Sequence, residues 1–286
     1  MDELIKPGSY KEELRDLISI FQGTLNNKAE GVNNHVPDTV EERAKQRIFN
    51  EEIIRQQNIE DVIDGAAERL ALKGFEVHPV NVDWISQFKN KVQDISDNEM
   101  KMIWSKVLAG EIIHPKSYSL RTLDLLSKLS KEDAEIIMEV APYTLFEDPD
   151  KMMIIHLERK DDKLVDFEKL LFLSELGLLE TSASLRMDWS SEELDDSKCI
   201  KLRNNGIGIN IIINTNSFSL PVYSVTTIGR QLFSLIEGVV PNVDYFKNTL
   251  DNLSVNTICE CGHIKNKGDN KGFVFKDQLF KIDKLN

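Results

Sequence analysis

The chain has 286 residues, with 35 Lys and Arg against 48 Asp and Glu, a formal charge of −13. Apolar residues at 41% and charged residues at 29% are the composition of a folded globular protein, which excludes a largely disordered chain. The acid excess argues against a general nucleic-acid coat, which must bring cations to phosphates. In chain order, Tyr10, Leu14, Leu17, Ile18 and Phe21 recur at helical spacing, and a polar stretch from Gly23 to Asn34 follows as a flexible connection. From Thr39 to about Lys73, Ala44, Ile48, Ile53, Ile59, Ile63, Ala66, Ala67 and Leu70 sustain one long helix, interrupted in propensity by Gly65.

Trp84, Ile85, Phe88 and Val92 form the stripe of a second helix. Ser96-Asp-Asn-Glu99 has capping-box spacing and opens a helix carrying Met100, Ile103, Trp104, Val107 and Leu108, which His114-Pro115 should end. A further helix is expected over Ser119–Leu129. Ser130-Lys-Glu-Asp133 caps another that stops near Pro142. The period then changes. Met152–Leu157 is expected as a strand, Asp166–Leu176 as a helix stopped by Gly177, and Leu178–Met187, Ile207–Ile213 and Leu220–Val225 as strands. Thr226 or Thr227 caps a helix through Ile236, Pro241–Leu253 supplies the last one, and the tail from Val255 forms a small hairpin.

These elements lead to a mainly α fold with a smaller α+β part. An N-terminal helix and connection occupy 1–38, a helical domain 39–129, a winged-helix-like domain 130–253 and a C-terminal hairpin tail 254–286. The amino terminus has acids where a secretory signal needs basic and apolar regions. The longest apolar runs, at 169–173 and 207–213, fall short of the roughly 18–20 residues of a membrane span. Three cysteines, Cys199, Cys259 and Cys261, do not make a disulfide scaffold, so a cytoplasmic protein with no membrane attachment is expected.

Several chemistries are tested and set aside. Pro149-Asp150 with Glu158-Arg-Lys160 has the outline of a metal-dependent nuclease, whose two carboxylates must converge on one cation. Placed at opposite ends of one strand, their α-carbons would stand roughly 26 Å apart. Cys259-Glu-Cys261-Gly-His263 offers three zinc-type ligands, but the gap between the cysteines is a single residue and no fourth ligand follows. His35, His78, His114 and His156 have no metal-ligand spacing, and Gly206-Ile-Gly208 lacks the rest of a phosphate-binding fingerprint. No nucleophile elbow stands out, and no cofactor is implied. Trp104 shares a core face with Leu108, while Glu111 and Arg121 are positioned to pair across the Pro115 turn. Lys201 and Arg203, with Lys198, Asn204 and Asn205, form the one compact basic patch near the expected wing. The expected recognition helix at 166–176 is acidic, so nucleic acid is possible but not favoured as a partner.

Gln57-Asn-Ile-Glu60, Asp97-Asn-Glu99 leading to Trp104, Leu108-Ala-Gly-Glu111, Pro115, Ser117-Tyr-Ser-Leu-Arg-Thr122, and Leu129-Ser130 with Asp133-Ala134 together resemble a bacterial family of unknown function. Leu176-Gly-Leu-Leu179 and Thr227-Ile-Gly229 are also similar to the abortive-infection alpha family. The resemblance implies a non-enzymatic interaction or sensor protein of phage defence. Such a protein would act by binding a protein partner, with self-association a further option, and no catalytic residue set is carried over. A DNA-binding regulator and a metal-dependent nuclease are the alternatives.

Overall fold

The structure, a computed structural model, describes residues 39–73, 76–147, 151–155, 166–180, 185–190, 192, 194, 198–253, 256–266 and 272–285. The expected helix and connection at 1–38 lie outside it. Two compact units are defined, Met1–Ser127 and Lys128–Asn286.

The described part of the first unit holds helices α1 (Val40–Lys73), α2 (Val82–Val92), α3 (Asn98–Ile113) and α4 (Leu120–Leu126). Each begins where a side chain satisfies a free backbone N–H. Thr39 and Glu42 cap α1 reciprocally, Asn81 accepts from Asp83 and Trp84, and Ser119 accepts from Thr122. The cap of α3 is Asp97, accepting from the Met100 N–H, one residue beyond the Ser96 expected from the sequence. Ile59, Val62, Ile63, Ala66 and Leu70 of α1 are buried, as are Trp104, Val107 and Leu108 of α3. Gly65, unfavourable inside a helix, lies where α1 meets α3. A Cβ there would sit 2.5 Å from the Ser105 hydroxyl, which donates to the Val62 carbonyl at 3.0 Å.

The second unit corrects the expected fold class. Helix makes up 49% and strand 27% of the described residues, so the protein is not mainly α with a small α+β appendage. Among the described residues nine antiparallel strands form one sheet: β1 (Leu145–Glu147), β2 (Lys151–Ile155), β3 (Leu179–Glu180), β4 (Arg186–Ser190), β5 (Cys199–Asn204), β6 (Ile207–Ile213), β7 (Ser217–Val225), β8 (Thr257–Asn266) and β9 (Val274–Asp283). Their order is β3-β7-β2-β1-β5-β6-β8-β9, with β4 also paired to β7. The strands assigned to a winged helix are therefore members of a larger sheet. The tail is not a separate hairpin: β8 pairs with β6 along its whole length, from Ile207 opposite His263 to Ile213 opposite Thr257.

Local chemistry explains where the sequence misleads. Lys201 and Arg203 give β5 a polar look, but Ile200, Leu202 and Asn204 alternate with them and are buried. Asn205 (φ 35°) and Gly206 (φ 88°) turn the chain directly from β5 into β6, a two-residue hairpin in which both residues need positive φ. The helices of this unit are α5 (Lys131–Val140), α6 (Phe167–Glu175), α7 (Thr227–Phe233) and α8 (Val243–Leu253), with a single 3-10 turn at Ala141–Tyr143. Ser130 and Asp133 form the expected capping box of α5. Gly177, at φ 74°, stops α6, and the Leu178 N–H returns to the Leu173 carbonyl at 2.8 Å. From α8, Tyr245 donates to the Ile155 carbonyl of β2, and Phe246 and Leu250 are fully buried.

Candidate functional site

In the first unit Gly110, Glu111, Lys116, Tyr118 and Trp84 form one continuous structure. The Glu111 side chain is buried, at 3% exposure, at the end of α3. One carboxylate oxygen accepts the Lys116 N–H at 2.6 Å and the other accepts the Tyr118 N–H at 2.9 Å. A carboxylate out of water is tolerable only with such donors. They also fix the turn, in which Lys116 takes a left-handed φ of 74°. The expected pairing of Glu111 with Arg121 is thus replaced by a clamp on backbone, and Arg121 is exposed on α4.

Tyr118 links this clamp to the aromatic core. Its ring lies against Gly110, where a Cβ would stand 2.8 Å from Cε2, which accounts for the glycine in Leu108-Ala-Gly-Glu111. Its carbonyl accepts from Trp84 Nε1 at 2.7 Å. Trp84 stacks on Phe88 with centroids 5.0 Å apart, and Phe88 meets Trp104 edge-on at 5.4 Å. Trp104 is fully buried. Trp104 and Glu111 are therefore core and clamp, and among the three candidates of this unit only Arg121 faces solvent. The role of Tyr118 was the residue missed. Its position inside the patterned stretch Ser117–Thr122 was the available signal.

In the second unit Lys201 and Arg203 project from the same face of β5, not from a wing loop. The Arg203 guanidinium carbon lies 6.0 Å from the Phe146 ring centroid, and both cations are partly exposed. Nearby polar groups serve the fold. Asn204 donates to the Thr144 carbonyl at 2.8 Å, while Asn210 exchanges two hydrogen bonds with the Phe273 backbone. Trp189 Nε1 donates to Glu147 at 2.6 Å, and Lys151 lies 3.5 Å from the other oxygen of that carboxylate.

The cysteines of the zinc-like motif point into the core. Cys259 and Cys261 are fully buried on β8, and burial pushes the Cys261 thiol up to about 12. His263 is exposed and contacts Asp277 at 2.8 Å. Among the described residues no three His, Cys, Asp or Glu side chains converge on a possible metal position. Asp150 and Glu158 of the nuclease-like outline lie outside the described residues.

The segments around Gly177 and Gly229, about fifty residues apart in sequence, meet in space. The Thr226 hydroxyl donates to the Gly177 carbonyl at 2.7 Å and its N–H to the Leu178 carbonyl at 2.9 Å. A Cβ on Gly229 would stand 2.3 Å from that same carbonyl oxygen. Leu179 then pairs with Val225 in the sheet.

With this geometry in view, the chain belongs to a family of proteins of unknown function, DUF2806, whose family model matches residues 42–250. The matched stretch takes in the Glu111 clamp and the Gly177–Gly229 contact and ends before β8. Comparison with the curated proteins gave no match, and comparison with the solved structures gave none. Among the described residues no helix is long and apolar enough to cross a membrane.

Proposed function

We propose that this protein is a cytoplasmic, non-enzymatic interaction component of bacterial phage defence, akin to the abortive-infection alpha family. The observation that carries the reading is the junction of α6, β3 and α7. Leu176–Leu179 and Thr227–Gly229, about fifty residues apart in sequence, lie together: Gly229 sits against the Leu178 carbonyl, and Thr226, the residue before the second stretch, donates to the Gly177 carbonyl.

A binding role is supported by what the polar candidates do. Glu111 is engaged by two backbone N–H groups, and Cys259 and Cys261 are enclosed. The charged Arg121, Lys201 and Arg203 are the members of the candidate set that reach solvent. Such side chains suit recognition of an acidic protein surface, with rim charges acting chiefly on encounter rate and specificity.

The test is plaquing efficiency on cells carrying the gene with its native neighbours, against the same locus lacking this gene alone. Protection is expected to fall with the deletion and to return with the wild-type gene. An Arg121→Glu variant that folds normally is expected to restore less. Unchanged plaquing across a broad phage panel would remove the defence reading.

A further inference from the structure

The long first helix changes character along its length. Its carboxy-terminal half buries Ile59, Val62, Ile63, Ala66 and Leu70, all at 4% exposure or less. From Thr39 to Gln57 no described side chain is buried, although the apolar residues continue. Ile48 is 52% exposed and Phe49 51%. At about 1.5 Å per residue this leaves roughly 27 Å of helix without a buried side chain. Ile48 and Ala44 extend the same stripe that Ile59 and Ala66 occupy, since three or four residues separate successive turns of one face.

The charges on this half alternate in sign in blocks. Glu41 and Glu42 come first, Arg43, Lys45 and Arg47 next, then Glu51 and Glu52, then Arg55. Within the chain they form pairs between successive turns, Lys45 with Glu41 at 2.9 Å, Arg47 with Glu51 at 2.7 Å and Arg55 with Glu52 at 2.7 Å. Exposed pairs of this kind contribute little each and are readily shared. Reversing the segment about the midpoint of Ile48 and Phe49 sets two acid–base pairs opposite each other, while Glu41, Arg43, Arg47 and Glu51 face uncharged residues. Glu42 then faces position 55, Lys45 faces position 52, and Ile48 faces position 49. A parallel, in-register pairing would instead set like against like.

We propose that the amino-terminal half of α1 is a contact between two copies of this chain, paired antiparallel about a two-fold axis between Ile48 and Phe49. The interface is isologous, so each contact occurs twice. Ile48 packs on the partner's Phe49, Lys45 pairs with the partner's Glu52, and Glu42 pairs with the partner's Arg55. The inference stands on this helix alone and is independent of the phage-defence reading.

Sedimentation equilibrium of the full chain tests it. The wild type is expected to be dimeric, with a melting temperature that rises with protein concentration, and Ile48→Glu with Phe49→Glu a cooperatively folded monomer without that dependence, since neither residue is buried in the monomer. Lys45→Glu is expected to weaken the dimer about tenfold, because two attractive pairs become repulsive. Adding Glu52→Lys to that variant should restore the dimer. A role confined to one helix would not produce this rescue, because positions 45 and 52 are two turns apart. A wild-type monomer, or a dimer indifferent to Ile48→Glu, overturns the proposal. So does a wild-type monomer that dimerises on deletion of residues 1–38, which would make that segment the occupant of the face.

Discussion

The two units hold their cores by different means. In the helical unit the decisive contacts join residues close in sequence: Glu111 reaches Lys116 and Tyr118 across one turn, and the aromatic stack runs through neighbouring helices. In the sheet unit β6 is flanked by β5, just before it, and by β8, which begins more than forty residues later. Short-range patterns specify the first arrangement, whereas the second depends on strands that must find each other across β7, α7 and α8. The contrast implies that removing a distant strand should damage the sheet unit far more than any single clamp damages the helical one.

The largest expected effect follows from that. A chain ending at Leu253 loses β8 and β9, which bury Cys259, Cys261, Phe273, Phe280 and Ile282 together with their neighbours. At about 1.5–3 kcal/mol for each large apolar side chain, the loss is on the order of 10 kcal/mol, comparable to the whole stability of a domain. It also leaves β6 with one edge unpaired. The truncated protein is expected to lose its strand circular dichroism and the cooperative melting of this unit. A truncated chain that melts cooperatively, with strand content reduced only by β8 and β9, would show the other seven strands to be self-sufficient.

The same contrast governs what was legible in the sequence. Helix periods and caps are local, so α1, the Ser130 capping box, the Gly177 stop and the Thr226 cap were all visible in advance. β2 and β6 are legible as strands from their apolar runs, yet their pairing is not, because a strand's partner leaves no mark within the strand. Lys201 and Arg203 read as a basic patch near a wing, whereas they lie within β5. The correction was available in Asn205-Gly206, a strong hairpin signal between an alternating run and an apolar one. Of the site, burial of Trp104 could be inferred from helix phase. The destination of the Glu111 carboxylate could not, since periodicity says nothing about which backbone N–H groups a turn turns inward.

A medium effect would sharpen the picture of the helical unit. Glu111→Ala strands the buried Tyr118 N–H and the part-buried Lys116 N–H and is expected to destabilise by about 3 kcal/mol, while Glu111→Gln retains one acceptor and loses about 1–2 kcal/mol. Urea unfolding followed by tryptophan fluorescence reads both. Equal losses for the two variants would mean that the volume of the side chain matters and its acceptors do not.

The smallest effect lies at the far edge of the sheet unit, where β8 and β9 pair. The Asp277 carboxyl is held below its ordinary value of 3.8, first by the His263 ring 2.8 Å away and then by the His263 backbone N–H at 3.2 Å. Both partners are more than half exposed, so water screens the interaction and the effect on stability is slight. The sign is nevertheless fixed. A carboxyl whose folded pKa is depressed contributes stability above its unfolded pKa and loses it as pH falls through the folded value. His263→Ala removes the ring contact and leaves the backbone donor. Carbon-detected titration of Asp277 should therefore show a midpoint that rises toward 3.8 without fully reaching it. The melting temperature of the variant should fall less steeply than that of the wild type over the same acid range. A midpoint that does not move on removal of the ring would assign the whole depression to the backbone N–H. The hairpin would then be locked by its main chain alone, in contrast to the side-chain clamp that closes the turn after α3.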